Sequence, residues 1–278
     1  TPFVQETHDA YRVGINKADN EVRSIAVDQE SNIWIATASG IFRKNKDTRN
    51  WEPIISGESR GPAYAVRVNQ NGDVLLGTWD GIYRFRNNQL TKEEDVKPPI
   101  SEICNAGEGN YALGPHGIWR YENNKWTLQD YSIARSVRDA ATDTKGNLWV
   151  ATDAGLYLCK DGKTKLYQDV SDLISCYARA ISFDPSGNIW AGVMGGVSVR
   201  DNEKLIKKIT PQEGIPSIFI NCISQSPDGL MWVGTNVGIV RYAKDGTHSL
   251  RFSKRWLTDN KVNDLAFDTL GNAWVATA

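Results

Sequence analysis

Short segments in which apolar and polar residues alternate recur along the entire chain. Val22–Val27 is one such segment, and Asp28 with a short polar stretch typical of a tight turn follows it. Apolar segments around Trp34 and Phe42 come next, with Gly40 between them. Alternation with a period of two predicts strands, and no segment shows the period of a helix. The pattern therefore predicts a series of antiparallel hairpins.

This hairpin pattern repeats about every 40 residues, which is the length of one four-stranded blade of a β-propeller. Most copies carry a tryptophan in the second strand, and two weaker copies carry leucine or alanine there. The aligned positions are Trp34, Leu75, Ala112, Trp149, Trp190, Trp232 and Trp274. The copies begin near residues 22, 63, 100, 137, 178, 220 and 262.

The repeats predict that residues 1–278 form a single all-β domain, a seven-bladed propeller of four-stranded antiparallel blades. The seventh copy stops at Ala278, after only two strands. Residues 1–21 precede the first copy, and Phe3–Gln5 and Tyr11–Val13 fit the two missing strands. We therefore expect the N-terminal strands to complete the last blade and to leave no open sheet edge.

Residues that recur once per copy are expected to have structural roles. The recurring tryptophans should pack between adjacent sheets. Four aspartates recur at the turn between the first two strands: Asp28, Asp143, Asp184 and Asp268. The spacing of ligands in a calcium loop is absent, so these carboxylates should cap turns.

The repeat pattern V-R/N-x-I-x-x-D-x-x-G-N-x-W-x-x-T-x-x-G-I/L-x-R resembles the two-component regulator propeller repeat. This repeat occurs in tandem in the periplasmic sensor regions of bacterial hybrid histidine kinases, especially those of Bacteroidetes. The resemblance covers essentially the whole chain. It implies either the periplasmic sensor region of a larger receptor, which would recognise carbohydrate breakdown products, or a free-standing secreted propeller, since similar repeats occur in both.

Composition excludes some classes of function. The net charge is -1, with 40% hydrophobic residues, so no basic surface for nucleic acid is indicated. No apolar run is long enough for a membrane helix. The cysteines lack metal-ligand spacing, and we expect no metal, no cofactor and buried free thiols. These cysteines are Cys104, Cys159, Cys176 and Cys222.

The second residue of the innermost strand is polar in all seven copies. These residues are Arg23, Tyr64, Ser101, Arg138, Arg179, Asn221 and Asn263. Arranged around a funnel, they would suit an anionic or hydroxyl-rich ligand, because arginine offers forked donors to carboxylate or sulfate. Alternatively, they satisfy backbone carbonyls between blades. Arg138 and Arg179 should be neighbours, paired either with Asp139 and Asp153 or with a ligand.

Two residues on the loops of the same face depart from the repeat. Trp79, beside Asp80, resembles a sugar-stacking position, although packing within its blade is an equal alternative. His116 lies in the most divergent copy, where it either contacts a ligand or marks a degenerate blade.

These features favour a non-catalytic sensor propeller that binds an oligosaccharide, anionic if the arginines contact it, or a protein partner on the funnel face. The alternative is a propeller enzyme, either a polysaccharide lyase, a glycoside hydrolase or a relative of streptogramin B lyase. An enzyme of the streptogramin B lyase type would need a histidine and a carboxylate that converge on the funnel with a metal, and His116 with Glu102 is the candidate pair. No recognised catalytic motif accompanies them.

Overall fold

The computed structural model describes residues 8–55, 61–106, 109–133, 136–168, 174–201, 204–251 and 256–278. Within these ranges, each of the first six repeats forms a four-stranded antiparallel sheet, here called a blade. The seventh repeat forms a two-stranded sheet. Consecutive strands pair within every sheet, as the hairpin pattern predicted.

The strands are numbered in chain order from the innermost strand of blade one. Blades one to three comprise β1 Val22–Val27, β2 Ile33–Thr37, β3 Gly40–Lys44, β4 Trp51–Pro53, β5 Ala63–Val68, β6 Val74–Thr78, β7 Gly81–Arg86, β8 Gln89–Glu93, β9 Glu102–Ala106, β10 Gly109–Gly114, β11 Gly117–Glu122 and β12 Lys125–Leu128. Blades four to six comprise β13 Val137–Thr142, β14 Leu148–Thr152, β15 Gly155–Lys160, β16 Lys163–Tyr167, β17 Ala178–Phe183, β18 Ile189–Val193, β19 Gly196–Asp201, β20 Lys204–Ile209, β21 Ile220–Gln225, β22 Met231–Thr235, β23 Gly238–Tyr242 and β24 His248–Arg251. The two-stranded sheet comprises β25 Val262–Phe267 and β26 Ala273–Thr277. A helix α1 (Lys17–Asn20) precedes β1, and a 3₁₀ helix (Pro211–Glu213) precedes β21.

The innermost strands form a closed ring. Each innermost strand contacts that of the next sheet, from β1 through β5, β9, β13, β17 and β21 to β25, and β25 contacts β1. The all-β propeller of four-stranded blades is therefore confirmed, but the prediction of seven such blades is wrong. Among the described residues there are six, because the seventh repeat contributes only two strands.

The N-terminal segment does not supply the missing strands in the way we predicted. Phe3–Gln5 lies outside the described residues. Tyr11–Val13 is described and forms no strand. The Asn20 side chain accepts from Val13 N–H at 2.9 Å and donates to the Gly14 carbonyl at 2.7 Å, so these groups bond locally instead of along a sheet. The segment nevertheless lies beside the seventh repeat, where the rings of Tyr11 and Trp274 are 5.6 Å apart.

The core lies between neighbouring sheets, and the recurring tryptophans form part of it as predicted. Trp34 in blade one is fully buried against Val66 and Leu76 of blade two. Trp149 and Trp190 are also buried against the following blade, and Trp232 is half-buried against the two-stranded sheet. Trp274 packs against blade one, so the same contact recurs around the ring.

The recurring aspartates cap turns, which confirms the second structural prediction. The Asp28 carboxylate accepts from the backbone N–H groups of Glu30 and Asn32 at 3.0 and 2.8 Å. It also accepts from the Trp34 indole N–H at 2.8 Å, a bond that the sequence did not indicate. Equivalent aspartate–tryptophan bonds of 3.2–3.3 Å occur for Asp143, Asp184 and Asp268. Each aspartate thus joins its turn to the interblade core.

All four cysteines are free thiols. Cys104, Cys159 and Cys222 are buried, whereas Cys176 is exposed, so the expectation of burial is wrong for that residue. No helix among the described residues is long and apolar enough to cross a membrane.

Candidate functional site: the mouth of the central channel

A β-bulge occurs at the second residue of six innermost strands. In β1, for example, Val22 and Ser24 lie opposite the consecutive residues Thr37 and Ala36, which leaves Arg23 as the extra residue. A bulge redirects the side chain of the extra residue. The six bulge residues are Arg23, Tyr64, Arg138, Arg179, Asn221 and Asn263.

All six bulge residues line a cavity of about 1910 Å³ at the centre of the ring. The cavity extends from this central channel into the space beside β25 and β26. Ser101, the seventh predicted rim residue, also lines the channel, although it precedes β9 and forms no bulge within it. The structure therefore brings together the ring of polar residues that the repeat alignment predicted.

The two asparagines of this ring join adjacent sheets. Asn221 donates to the Val262 carbonyl at 2.8 Å, and Asn263 donates to the Val22 carbonyl at 2.8 Å. Val262 and Val22 are the first residues of the next innermost strands. Both asparagines therefore satisfy backbone carbonyls between blades, which is the structural role given as the alternative to ligand binding.

The arginines of the ring have different environments. Arg23 pairs with Glu21 at 3.2 Å and lies over the Tyr64 ring at 5.4 Å. The guanidinium of Arg138 lies over the Tyr177 ring at 5.7 Å. Arg138 and Arg179 are exposed, and neither forms an ion pair within the described part of the chain.

The carboxylates that were expected to neutralise Arg138 and Arg179 do not pair with them. Asp139 accepts from the backbone N–H groups of Ala140 and Ile181 at 2.8 and 2.9 Å, so it joins blades four and five. Asp153 forms no ion pair in the described structure, and one of its carboxylate oxygens is buried without a hydrogen bond. Two exposed guanidinium groups therefore lie at the channel mouth, and no carboxylate among the described residues pairs with either of them.

Deeper in the channel, Arg67 is surrounded by carboxylates. It donates to Glu102 at 2.9 Å and to the Ser24 hydroxyl at 2.9 Å, and it lies 4.0 Å from Asp264. Asp264 accepts from the Ile25 N–H at 2.9 Å and so joins the two-stranded sheet to blade one. We call Arg67, Glu102, Asp139 and Asp264 the channel cluster.

The channel cluster holds three carboxylates and one guanidinium, so full ionisation would leave excess negative charge in a confined space. Burial raises the pKa of Glu102 to about 8, against the lowering effect of Arg67. Burial likewise raises the pKa of Asp139 to about 6, although Arg67 and two backbone bonds oppose this. Glu102 and Asp139 therefore bind protons more tightly than isolated carboxylates do.

Trp79 and His116 lie on the same face but outside the cavity lining. Trp79 is 42% exposed on the turn between β6 and β7, and a methyl group on Gly61 would collide with its ring. His116 is exposed on the turn between β10 and β11, whereas Glu102 lines the channel. The histidine–carboxylate pair of the lyase alternative is therefore not gathered in the channel.

Sequence reasoning missed Arg67 and Asp264 as members of the channel. Each of these two residues departs from the residues at the same position in other copies of the repeat, and this departure could have identified it. Arg67 is the fifth residue of its innermost strand, where the other copies have alanine, serine or cysteine. Asp264, like Asp139 and Glu102, is the third residue of its repeat copy, where other copies have serine, alanine or cysteine. Among the described residues, no group of three or more potential ligands is placed to hold a metal ion.

Comparisons with known proteins agree with this architecture. The family model described as "Two component regulator propeller" matches residues 16–39 and 214–237. A search of curated protein sequences finds no match to the chain.

The fold is shared with solved structures. The extracellular domain of BT4673 from B. thetaiotaomicron, described both as a one component and as a hybrid two component system, superposes with a TM-score of 0.80 at 19% identity. That match covers 97% of this chain and 38% of the other, so the chain spans well under half of that protein. Virginiamycin B lyase from Staphylococcus aureus gives a TM-score of 0.74 at 13% identity, over 94% of this chain and 93% of the lyase. Two segments of the chain thus match the two component regulator propeller repeat, and the described residues fold as a β-propeller.

Proposed function

We propose that this chain is the ligand-binding propeller of a bacterial extracellular or periplasmic sensor, and that it recognises an anionic oligosaccharide at the channel mouth. The observation that carries this proposal is the pair of exposed arginines, Arg138 and Arg179, on adjacent bulges. A guanidinium offers several directed donors that match a carboxylate or a sulfate group. Two of them on neighbouring blades would hold two acidic groups of one ligand.

The surroundings of the arginine pair support a sugar as the carrier of those acidic groups. Tyr177 lies beneath Arg138, and Tyr64 lies beneath Arg23 on the other side of the mouth. An aromatic ring offers an apolar face to a sugar, while neighbouring polar groups bond its hydroxyls. Repulsion between Arg138 and Arg179 in the empty mouth would be relieved when an anion binds.

The sensor context is supported by the repeat family and by the extracellular domain from B. thetaiotaomicron. Because the chain corresponds to 38% of that protein, we propose that it works as one propeller within a longer receptor. Ligand binding at the mouth would then be transmitted through the remaining parts of the receptor.

The test is titration calorimetry with oligogalacturonides and sulfated oligosaccharides, each compared with a neutral oligosaccharide of the same length. We expect binding of an acidic ligand, and a loss of affinity of at least about hundredfold in Arg138→Ala/Arg179→Ala, because a hydrogen bond to a charged group contributes about 1.5–3 kcal/mol. The melting temperature should change little, since both side chains are exposed.

A matched control removes two positive charges elsewhere. Lys125 and Lys163 are exposed on the outermost strands of blades three and four, and Lys125→Ala/Lys163→Ala should bind as the parent does. Absence of binding to every acidic ligand would reject the ligand class. Equal losses in both double variants would reject the site. Release of new reducing ends or unsaturated uronates during the titration would favour the enzyme alternative.

A further inference from the structure

Four large apolar side chains are exposed together on the turns of blades five and six. Met194 is 48% exposed, Ile218 45%, Phe219 46% and Val237 42%. Met194 belongs to the turn between β18 and β19, and Val237 to the turn between β22 and β23. Ile218 and Phe219 lie in the segment that enters β21, between those turns in the ring. We call these four residues the apolar patch.

Hydrogen bonds hold the parts of the patch next to one another. Gly195 N–H donates to the Ile218 carbonyl at 2.8 Å, which links the blade-five turn to the segment before β21. Asn221 donates to the Asn236 side chain at 2.9 Å, which links that segment to the blade-six turn. The segments that carry the patch are therefore adjacent to one another across two blades.

The support beneath the patch is firmly packed. Gly195 has φ +108°, and a Cβ there would lie 2.7 Å from Ile174 Cγ2, so the turn sits tightly on Ile174. The segment before β21 begins with a capping box between Thr210 and Glu213 and is anchored by the buried Ile215. Apolar side chains on such a support lose little further freedom when a partner binds.

The apolar patch departs from the repeat. At the position of Met194, blades one, two, four and six carry Ala38, Trp79, Asp153 and Asn236, and of these only Trp79 is also large and apolar. Large exposed apolar residues that cluster on a surface mark an interaction site, whereas scattered ones need no explanation. The patch contains methionine and phenylalanine, which are enriched where proteins meet.

The patch adjoins unpaired positive charge. Met194 N–H donates to the Tyr177 carbonyl at 3.0 Å, and Arg138 lies over the ring of that tyrosine. Arg179 follows Tyr177 by two residues and is exposed. Within the described part of the chain, no carboxylate pairs with either arginine. An occupant of this surface must therefore supply both apolar side chains and negative charge.

We infer that the apolar patch, with Arg138 and Arg179 at its inner border, is a docking surface for a protein segment that carries large apolar and acidic side chains. Aliphatic side chains such as Met194, Ile218 and Val237 offer nothing to sugar hydroxyls, so a peptide fits this surface better than an oligosaccharide. Apolar burial would supply the affinity, and the arginines would select acidic partners.

The test begins with a random dodecapeptide library displayed on phage and selected against the immobilised protein. Selected peptides are then synthesised, and their dissociation constants are measured by fluorescence anisotropy. We expect the selected sequences to combine Asp or Glu with large apolar residues. Met194→Ser/Val237→Ser should weaken their binding about tenfold or more, and Arg138→Ala/Arg179→Ala should weaken it and flatten its salt dependence.

Controls separate this inference from the proposed function. Leu128→Ser/Leu270→Ser changes two apolar residues away from the patch that are 59% and 85% exposed, and it should leave peptide binding unchanged. Failure to select any peptide, or binding that tolerates the patch variants, would overturn the inference. Selected peptides without acidic residues would overturn the stated chemistry of the partner. Loss of oligosaccharide binding in Met194→Ser/Val237→Ser, without any peptide binding, would assign the surface to the sugar instead.

Discussion

Trp190 and Trp79 show how differently single tryptophans are used in this chain. Trp190 is 9% exposed, packs between blades five and six, and donates to Asp184 at 3.2 Å. Trp79 is 42% exposed, lies against Gly61 and occupies a turn at the channel face. Whether a tryptophan occupies the repeated position of the second strand therefore indicates whether it packs between blades.

Trp190→Ala should lower the free energy of unfolding by about 3–5 kcal/mol, because it removes a large buried side chain and leaves a cavity. Trp79→Ala should cost far less, since much of that ring already contacts water. Chemical denaturation of both variants measures the difference. Equal losses in the free energy of unfolding would show that Trp79 is a packing residue of its blade.

At the scale of the strand hairpin, blade six differs from its neighbours by an exchange within one turn. Blade five has Asp184-Pro-Ser-Gly187 and blade six has Ser226-Pro-Asp-Gly229, so serine and aspartate have changed places. The Trp232 indole N–H, which should bond the first of these residues, is buried without a hydrogen-bond partner in the described structure. The turn of blade six thus lacks the bond that ties the turn to the core in blades one, four and five and in the two-stranded sheet.

Ser226→Asp/Asp228→Ser should restore that bond without changing composition or charge. We expect the free energy of unfolding to rise by about 0.5–1.5 kcal/mol, the net contribution of one buried hydrogen bond. The reciprocal exchange in blade five, Asp184→Ser/Ser186→Asp, should lower it by a similar amount. Denaturant melts of the two variants test the pair, and a loss of stability in both would refute the role assigned to the first turn residue.

For the whole molecule, the channel cluster links distant parts of the ring through charge. Its members come from blades two, three and four and from the two-stranded sheet, and Asp139 and Asp264 also bond the backbone of the next sheet. Arg67 is the shared counter-charge. Its own pKa is raised because Glu102, Asp264 and Asp139 outweigh the lowering effect of burial.

The cluster predicts how stability depends on pH. Glu102 has an ordinary pKa of 4.5 and a folded-state pKa of about 8, so between these values the folded protein retains a proton that the unfolded chain has released. The free energy of unfolding should therefore fall as pH rises through this window. The raised pKa of Asp139 contributes a further fall in the free energy of unfolding up to about pH 6.

Glu102→Gln removes this titration and keeps an acceptor for Arg67. We expect the stability of the variant relative to the parent to increase from about pH 5 to about pH 8. The exposed Glu94 provides the control, since Glu94→Gln should leave the pH profile unchanged. Thermal melts over this range test the prediction, and parallel profiles for Glu102→Gln and the parent would contradict it.

The sequence was informative wherever a feature repeats. The periodic Trp and Asp residues predicted the sheets, the core and the capped turns, and the polar second residue predicted the rim of the channel. The sequence did not predict the features that depend on tertiary contacts. The bonds of Asn20 draw residues 13 and 14 into a local turn, and no periodic pattern could reveal this. The pairing of Arg67 with carboxylates from other blades likewise depends on ring closure.

The bulges of the innermost strands place the side chains at the channel mouth outside the cross-strand pairing of the sheets. A bulge residue has no cross-strand partner, so its side chain can change without altering the register of the sheet. At Asn221 and Asn263 the side chain still joins neighbouring sheets, but at Arg23, Tyr64, Arg138 and Arg179 the side chains form no such backbone bond to the next sheet among the described residues. A descendant of this protein could thus acquire a new ligand by exchanging those four residues, one mutation at a time, while the scaffold stays folded at every step.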